Sequence, residues 1–321
     1  MPRRFGLPSV YLAAAVVTAA ATAVTTAVPL AMTPAAGLAG RPAVTEPTRP
    51  YIVTARDRAA ARDLVGEVRW RVRRYYTAAL PGFATWLSAA EETELRADPR
   101  VRALEPDREI HPMTGRAPAT VPAEGGKGVT VYVMDSGLDL TGSEFGDRAW
   151  RAFDATGGTG QDCTGHGTQV ARAVAGRSHG VAPQARIASV RVLGCRGSGT
   201  LSDLLAGLDW VHRHARGPAV TILSLDGADS PALNAATREL VRSGVFVTAA
   251  ADSGGCRTTP GGQAYSAAAP QLAGTAAREL ELHPNASPAT LASSLNCTAA
   301  RGDIRQNPSR TSNLLMRGGG L

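Results

Sequence analysis

Between residues 129 and 282, short apolar segments alternate with longer segments of helical spacing. Apolar runs of about four to eight residues indicate buried strands. The predicted strands are 129–134, 186–193, 219–224 and 245–250, and the predicted helices are 167–177, 201–215, 230–243 and 266–282. Strands that alternate with helices form a parallel sheet with helices on both faces, so the sequence predicts an α/β fold of this kind. Functional groups are then expected at the carboxyl ends of the strands.

Three residues of this region form a candidate catalytic set. Asp135 ends the first predicted strand, His166 lies between two glycines, and Ser266 begins an Ala-rich segment. A single histidine is more often structural than catalytic, and a serine at such a position is often only a helix N-cap. The chain order Asp, His, Ser, however, is one of those in which the triad of serine hydrolases recurs.

From about residue 50 onward the chain resembles the secreted subtilisin-like serine peptidases (subtilases), especially their proteinase K-like branch. Asp135-Ser136-Gly137 matches the family's Asp-Thr/Ser-Gly motif, and His166-Gly167-Thr168 matches its His-Gly-Thr motif. Further segments that look like family sequence are 180–183, 190–193 and 197–200. The resemblance implies a subtilisin-like fold, with Ser266 as nucleophile, His166 as general base and Asp135 as the group that orients the imidazole.

The resemblance also implies where a peptide substrate binds. An extended peptide is expected to pair, as an added strand, with the edge at Gly197-Ser198-Gly199. The family's Ser-Leu-Gly-Gly segment borders the substrate pocket and is present here as Ser224-Leu225-Asp226, with an acid in place of the first glycine. These two segments are the predicted walls of the cleft.

Other departures from the family pattern concern the reaction itself. Asp252 stands where the family has an oxyanion-binding Asn, and an ionised carboxylate cannot donate a hydrogen bond; loss of such a donor costs about 3 to 4 kcal/mol. The motif around Ser266 is reduced, and only residues 253–265 precede it where relatives insert several dozen. Two functions therefore stay open: a secreted serine endopeptidase, and a catalytically impaired pseudopeptidase that keeps the fold as a binding or relic protein.

The beginning of the chain predicts export. Arg3 and Arg4 precede an apolar run at 10–32, which is typical of a signal peptide over residues 1–39. The run is also long enough for a retained membrane anchor, which is the alternative. A Pro-rich linker is predicted at 40–50.

Residues 51–112 predict a small α+β unit of ferredoxin-like type. The predicted strands are 51–54, 68–78, 82–87 and 101–105, and the predicted helices are 59–67 and 88–97. Ser88 and Glu91 form a capping box at the second helix. The unit resembles the inhibitor-type propeptides of subtilases, which cover the active-site cleft and are then cut away; an ordinary ferredoxin-like binding domain is the alternative. Processing is expected within 111–128, and the catalytic domain over 119–317, shortened between 252 and 266.

Four cysteines in an exported chain indicate disulfides rather than a metal site. The resemblance implies a bridge between Cys163 and Cys195, which would contribute about 3 to 4 kcal/mol in the chain-entropy model. Cys256 and Cys297 are a second candidate pair. A zinc site at Cys163 and His166 is the competing interpretation, but no second pair of nearby ligands is evident. No cofactor is expected, and structural calcium is left open.

Charge gives little support for nucleic-acid binding. The formal net charge is +7 and the sequence pI about 9.7, but the arginines are scattered. The densest group alternates with apolar residues, as in a strand with one solvated face, and consists of Arg69, Arg71, Arg73 and Arg74. We expect a secreted monomer whose partners are a peptide or protein substrate and its own propeptide, with no nucleic acid and no membrane after signal removal.

Overall fold

The computed structural model describes residues 46–68, 71–113, 124–225, 230–250, 257–258, 263–266, 269–301 and 314–316. The predicted signal peptide lies outside these residues, and so does the choice between a signal and a membrane anchor. Within the described ranges, no helix combines the length and the apolar character that crossing a membrane requires.

Residues 46–113, here called the N-terminal unit, form one four-stranded antiparallel sheet with two helices. Its elements are β1 (Arg49–Ala55), α1 (Arg58–Val68), β2 (Val72–Tyr76), β3 (Gly82–Leu87), α2 (Ala89–Ala97) and β4 (Val101–Pro106). The strand order is β2-β3-β1-β4, which is the ferredoxin-like arrangement that the sequence predicts. The predicted capping box is present, because Ser88 accepts from the Glu91 amide while the Glu91 carboxylate accepts from the Ser88 amide.

The second strand differs from the prediction of 68–78. Helix α1 continues to Val68, and β2 covers only Val72–Tyr76. Arg74 does not belong to a solvated face, because its guanidinium is 2.7 Å from the Asp203 carboxylate of a helix described below. The alternation of arginines therefore includes one that contacts the rest of the protein.

The rest of the described chain is built on a seven-stranded sheet of order β12-β13-β11-β10-β6-β8-β7. All neighbours run parallel except the edge strand β12. Its strands are β6 (Thr130–Asp135), β7 (Ala149–Asp154), β8 (Arg186–Arg191), β10 (Ala219–Leu223), β11 (Phe246–Ala250), β12 (Arg257–Thr258) and β13 (Gln263–Ser266). Two short pairs lie apart from it: β5 (Glu109–Ile110) with β9 (Gly199–Thr200), and β14 (Ala299–Arg301) with β15 (Leu314–Met316).

Helices cover both faces of this sheet, as predicted. They are α3 (His166–Ala175), α4 (Leu201–His214), α5 (Pro231–Arg242), α6 (Ala269–Leu282) and α7 (Pro288–Thr298). Val131 and Val133 of β6 belong to the core under α3, α6 and α7, whereas Tyr132 and Met134 belong to the core under α4 and α5. This alternation explains why residues 131–134 of β6 are all apolar: both faces of the strand are buried.

The helix predicted over 266–282 begins three residues later, at Ala269. Residues 263–266 form β13 instead, which pairs in parallel with β11. Intrinsic helix propensity is a weak determinant even in an Ala-rich segment, and the backbone hydrogen bonds to a neighbouring strand outweigh it at Ser266. Strand β7 and helix α7 were not predicted from the sequence.

Two carboxylates at the end of β4, Glu105 within the strand and Asp107 just after it, connect the N-terminal unit to helices of the large sheet. The Glu105 carboxylate accepts from the Ala232 amide in the first turn of α5, at 2.9 Å. The Asp107 carboxylate accepts from the Ser202 amide in the first turn of α4, at 2.8 Å. Both satisfy amides that have no partner within their own helix, and both lie at the positive end of a helix dipole.

Candidate active site

The predicted acid and base are in direct contact. Asp135 is the last residue of β6 and fully buried, and His166 is the first residue of α3. The Nδ1 atom of His166 lies 2.8 Å and 2.9 Å from the two carboxylate oxygens of Asp135. This contact raises the pKa of His166 although burial lowers it, because the carboxylate stabilises the imidazolium.

Glycines on both sides of His166 explain how its backbone reaches the acid. Gly165 precedes α3 with φ of 85°, a left-handed conformation that favours glycine. A Cβ atom on Gly167 would collide with the carbonyl oxygen of Gly137, in the loop that follows Asp135. The His-Gly pattern is therefore required by the close approach of two backbone segments.

A third residue, Asp162, holds these two segments together and was not singled out from the sequence. One of its carboxylate oxygens accepts from the Ser136 hydroxyl at 2.9 Å and the Gly165 amide at 2.9 Å. The other accepts from the amide and the hydroxyl of Thr168 at 2.9 Å and 2.6 Å. An acid shortly before a helix start is the available sequence signal, since carboxylates often cap helix N-termini.

The electrostatics of Asp162 favour its ionised form. Burial raises the pKa of this carboxyl, but the hydrogen bonds from Thr168, Gly165 and Ser136 together outweigh burial and lower the pKa below its usual value. The resulting negative charge adds to that of Asp135 in raising the pKa of His166. Asp162 therefore influences both the position and the protonation of the base.

The two predicted walls of the cleft enclose a segment of the chain itself. In antiparallel pairing, Glu109 and Ile110 lie opposite Thr200 and Gly199 of the first wall. On the second wall, Pro112 forms a bridge with Leu225. Residues 109–113 thus lie extended between the two walls. Within the first wall, the Ser198 carbonyl accepts from the Gly194 amide and closes a turn. Asp226 of the second wall lies outside the described residues.

This segment ends at the base. The Met113 amide donates to the Ser224 carbonyl at 2.9 Å, and the Met113 carbonyl oxygen is 3.3 Å from Nε2 of His166. That nitrogen is the one that faces away from Asp135 and would take the proton of a nucleophile. The main chain of Met113 therefore lies at the ring nitrogen that a nucleophile would approach.

Cys163 and Cys195 are joined by a disulfide bond in the structure. Both residues are exposed, and the buried Arg191 guanidinium lies 3.4 Å and 3.2 Å from their sulfur atoms. Because Cys163 precedes His166 by three residues and Cys195 precedes Gly197 by two, the bridge ties the base's loop to one wall of the cleft.

The bridge bears on the zinc interpretation. The sulfur of Cys163 is bonded to another sulfur and is not available as a thiolate ligand. Among the residues that the structure describes, no group of three or more histidine, cysteine or acidic residues could hold a metal ion.

The predicted nucleophile ends its strand at the same edge of the sheet as the acid. Ser266 is the last residue of β13, in register with Ala250 of β11. Since β13, β11, β10 and β6 are parallel neighbours, Ser266 and Asp135 both lie at their carboxyl edge. The Ser266 side chain and the whole of Asp252 fall outside the described part of the chain, so their roles stay predictions.

This architecture, with a buried acid at a strand end and a histidine at a helix start, defines a subtilisin-like α/β protein. A cold-adapted subtilisin-like serine proteinase aligns with a TM-score of 0.55 and 27% identity, covering 64% of this chain and 96% of that one. Fervidolysin from Fervidobacterium pennivorans, a keratinolytic enzyme related to subtilisin, aligns with a TM-score of 0.66 at 16% identity, over 85% of this chain and 60% of its own. Residues after Met113 alone cannot supply 85% of this chain, so the likeness of fold extends into the N-terminal unit.

Residues 126–264 match the model of the Subtilase family, and this matched segment contains Asp135 and His166. The match ends just before Ser266. An extracellular serine proteinase from Thermus sp. (strain Rt41A) is 41% identical over 200 residues, which are 56% of this chain and 49% of that protein. Alkaline serine exoprotease A from Vibrio alginolyticus is 35% identical over 209 residues, 57% of this chain and 39% of that protein. The chain thus spans about half or less of the length of these relatives.

Proposed function

We propose that the protein is a secreted serine endopeptidase of the proteinase K-like branch, made as a zymogen. In this proposal residues 51–112 are an inhibitor-type propeptide and residues 119–317 the catalytic domain. The observation that carries it is the pair of Asp135 and His166 with an extended segment of the chain laid against the base. The names of the relatives, an extracellular serine proteinase among them, support the same reaction class and export.

The reaction follows from the two nitrogens of His166. Nδ1 donates to Asp135, so Nε2 of the neutral ring can accept the hydroxyl proton of Ser266. The serine oxygen then attacks the substrate carbonyl, the C–N bond breaks, and the imidazolium gives its proton to the leaving amine, which leaves an acyl-enzyme ester. Water that is deprotonated by the same Nε2 atom hydrolyses this ester, releases the new carboxylate and restores Ser266. Asp135 stays ionised and stabilises the imidazolium between the two steps. The enzyme acts as a monomer on peptide or protein substrates and needs no cofactor.

The zymogen state gives a specific bond to test. Met113 lies at the base, between the cleft walls, with its amide held by Ser224. We propose that the peptide bond from Met113 to Thr114 is the one that the protein cuts in itself. Residues 109–113 then remain in the cleft as a bound product until the N-terminal unit leaves, which keeps the new enzyme inhibited.

The test is the mass and N-terminal sequence of the secreted protein, for the wild type beside Ser266→Ala and the exposed control Ser293→Ala. We expect the wild type and the control to begin at Thr114, while Ser266→Ala keeps the N-terminal unit. If all three keep it in a folded sample free of other proteases, the proposed activity is wrong. If all three lose it in such a sample, the cut does not depend on Ser266 and the assignment of Ser266 as nucleophile is wrong.

A pseudopeptidase is the second candidate function, and specific observations favour it. Asp252 replaces the oxyanion-binding Asn, residues 253–265 are short, and the family match stops before Ser266. A phosphonofluoridate reagent labels an activated serine but not an ordinary one, so it separates the two candidates. Stoichiometric labelling of the wild type, absent in Ser266→Ala, supports the endopeptidase; absence of labelling in both supports the pseudopeptidase.

A further inference from the structure

The disulfide between Cys163 and Cys195 has a buried positive charge directly beside it. Both cysteines are exposed, whereas Arg191, the last residue of β8, is only 7% exposed. One nitrogen of its guanidinium, Nη2, lies 3.4 Å from the sulfur of Cys163 and 3.2 Å from that of Cys195. A disulfide is uncharged and its sulfurs are weak acceptors, so the bonded pair gains little from this cation. The thiolates that reduction releases gain more, because hydrogen bonds to an ionised group are about twice as strong.

The same guanidinium holds the main chain on both sides of the bridge. Its Nη1 atom donates to the Gln161 carbonyl at 3.1 Å, two residues before Cys163. Its Nε atom donates to the Leu193 carbonyl at 3.1 Å, two residues before Cys195. Neither hydrogen bond involves a sulfur atom, so both persist when the bond between the sulfurs is broken. Arg191 therefore keeps the two cysteine-bearing segments together in the reduced protein, where the bridge can form again.

Acidic groups near the bridge leave Nη2 to the sulfur atoms. Asp154 lies 3.5 Å from the other terminal nitrogen, Nη1, and also accepts from two main-chain amides of its own loop. Asp162 precedes Cys163, but its carboxylate is held by the hydrogen bonds described above. The exposed Arg196, next to Cys195, adds a positive charge. Among the described residues, Nη2 contacts only the two sulfurs, so a thiolate at either cysteine meets a charged donor that is already in place.

We propose that the bridge is a site of reversible exchange with small external thiols, in which Arg191 stabilises the departing thiolate. An external thiol loses its proton to solvent and attacks one exposed sulfur; the bond between Cys163 and Cys195 breaks, and its electron pair stays on the other sulfur, beside Nη2. A second external thiolate then attacks the external sulfur of the mixed disulfide and releases the second cysteine. Two external thiols are thereby oxidised to one disulfide, and the bridge is reduced to two cysteines.

Opening the bridge acts on the cleft from both sides. Cys163 lies in the loop that Asp162 holds in front of the base, and Cys195 lies in the turn of residues 194–198 in the first wall. The bridge is the covalent tie between this loop and this turn. Its reduction gives both segments more freedom, so we expect the activity to fall until the bridge forms again. This consequence for activity rests on the proposed function.

The exchange site is tested without any cutting, in the full chain carrying Ser266→Ala. The protein is equilibrated with reduced and oxidised glutathione and alkylated, and the peptides that carry Cys163 and Cys195 are quantified by mass spectrometry. The uncharged variants Arg191→Met and Arg191→Gln are compared with Arg186→Met, which replaces an exposed arginine of the same strand. The equilibrium constant for reduction should fall about ten- to a hundredfold in both Arg191 variants, because the thiolates lose a charged donor, and should stay unchanged in the control.

Equal constants in a folded Arg191 variant and in the control overturn the proposal. If circular dichroism shows that neither Arg191 variant folds, the reduced wild type decides. Its two cysteines are alkylated with iodoacetamide at about pH 6.5, where an ordinary thiol with a pKa of about 8.5 is largely protonated. We expect faster alkylation than that of glutathione under the same conditions, and an equal or lower rate overturns the stabilised thiolate.

The second arm uses the processed enzyme with active Ser266. Its kcat/KM on a peptide substrate should fall in reduced glutathione and return in oxidised glutathione, whereas Cys163→Ser with Cys195→Ser should not respond to either. Unchanged activity of the reduced wild type overturns the effect on the cleft. Absence of cutting and of turnover in every variant overturns the proposed function, whereas the exchange constants decide the thiol site by themselves.

Discussion

The main-chain carbonyl oxygen of Met113 lies 3.3 Å from Nε2 of His166, the nitrogen that must accept a proton if the site is to cut a peptide bond. The opposite nitrogen of the same ring faces Asp135. The base is thus oriented for catalysis on one side and occupied by its own chain on the other. Activity toward other substrates therefore requires residues 109–113 to leave the cleft.

The pH dependence of activity follows from the base. The pKa of His166 is raised, chiefly by its hydrogen bond to Asp135, and only the neutral ring can accept a proton. We expect kcat/KM of the processed enzyme to fall as the pH drops through a value above about 6.5, the ordinary pKa of histidine. The profile is measured on a peptide substrate, with the exposed His283→Gln as control; an acidic limb below the ordinary value contradicts the prediction.

Replacing Asp135 with Asn should separate the pKa effect from the loss of the base itself. The amide cannot stabilise the imidazolium, so the pKa of His166 falls and the acidic limb moves to lower pH. It also favours the wrong tautomer, which lowers kcat by about ten-thousandfold in a comparable triad. Titration of the His166 ring by NMR in the Ser266→Ala protein gives the same pKa change without activity, and an unchanged titration would show that Asp135 does not control the base.

Asp252 offers a gain-of-function test. If this position faces the oxyanion, Asp252→Asn supplies a donor and removes a repulsive charge, and kcat should rise by about a hundred- to a thousandfold. KM should change much less, because the interaction develops in the transition state. Asp139→Asn is the matched control. Equal rates in both variants would mean that residue 252 does not take part in the reaction.

The contribution of Asp162 to the free energy of unfolding should depend on pH in a defined direction. Its folded-state pKa is lowered, so its contribution is present above the unfolded-state value of about 3.9 and is lost as the pH falls through the folded-state value. We expect Asp162→Asn to lower the free energy of unfolding by about 1 to 3 kcal/mol at neutral pH. The difference from the wild type should shrink in acid, as measured by urea unfolding beside the exposed control Asp147→Asn. A difference that does not depend on pH contradicts the role of the ionised carboxylate.

The disulfide can be removed by Cys163→Ser with Cys195→Ser. The chain-entropy model for a loop of this length predicts that the free energy of unfolding falls by about 3 to 4 kcal/mol. A reductant should bring the wild type to the value of the double variant measured in the same reductant, since both cysteines are exposed. Equal unfolding curves with and without the bridge would refute its structural role.

Local patterns in the sequence were enough to predict much of the fold and the acid and base of the candidate site. The strand that ends in Asp135 and the helix that begins at His166 were both predictable, because buried strands and glycine-flanked helix starts have signatures within a few residues. Residues 263–266 were not, because the strand there depends on pairing with β11, and the four residues Gln-Ala-Tyr-Ser carry no apolar pattern that predicts a strand.

The polar contacts of Asp162 and Asp209 could not be predicted from a single sequence, for a related reason. Asp162 serves residues on both sides of the base, and Asp209 meets amides about 130 residues earlier in the chain. Such partners are brought together by the tertiary fold, and the sequence of one segment does not indicate which other segment it will contact. Asp209 did carry a weak signal, as a charge inside the apolar run of α4.

The two carboxylates beside β4 have a consequence for the order in which the protein acquires its structure. Parallel strands joined by crossovers make mostly long-range contacts, and such topologies fold slowly because much chain must be arranged before any contact forms. Glu105 and Asp107 are two residues apart on one extended segment, yet each holds the first turn of a different helix, α5 and α4. The small antiparallel unit can therefore act as a template that fixes the spacing of both helices while the large sheet is still incomplete. We expect a chain without this unit to reach the same final structure more slowly.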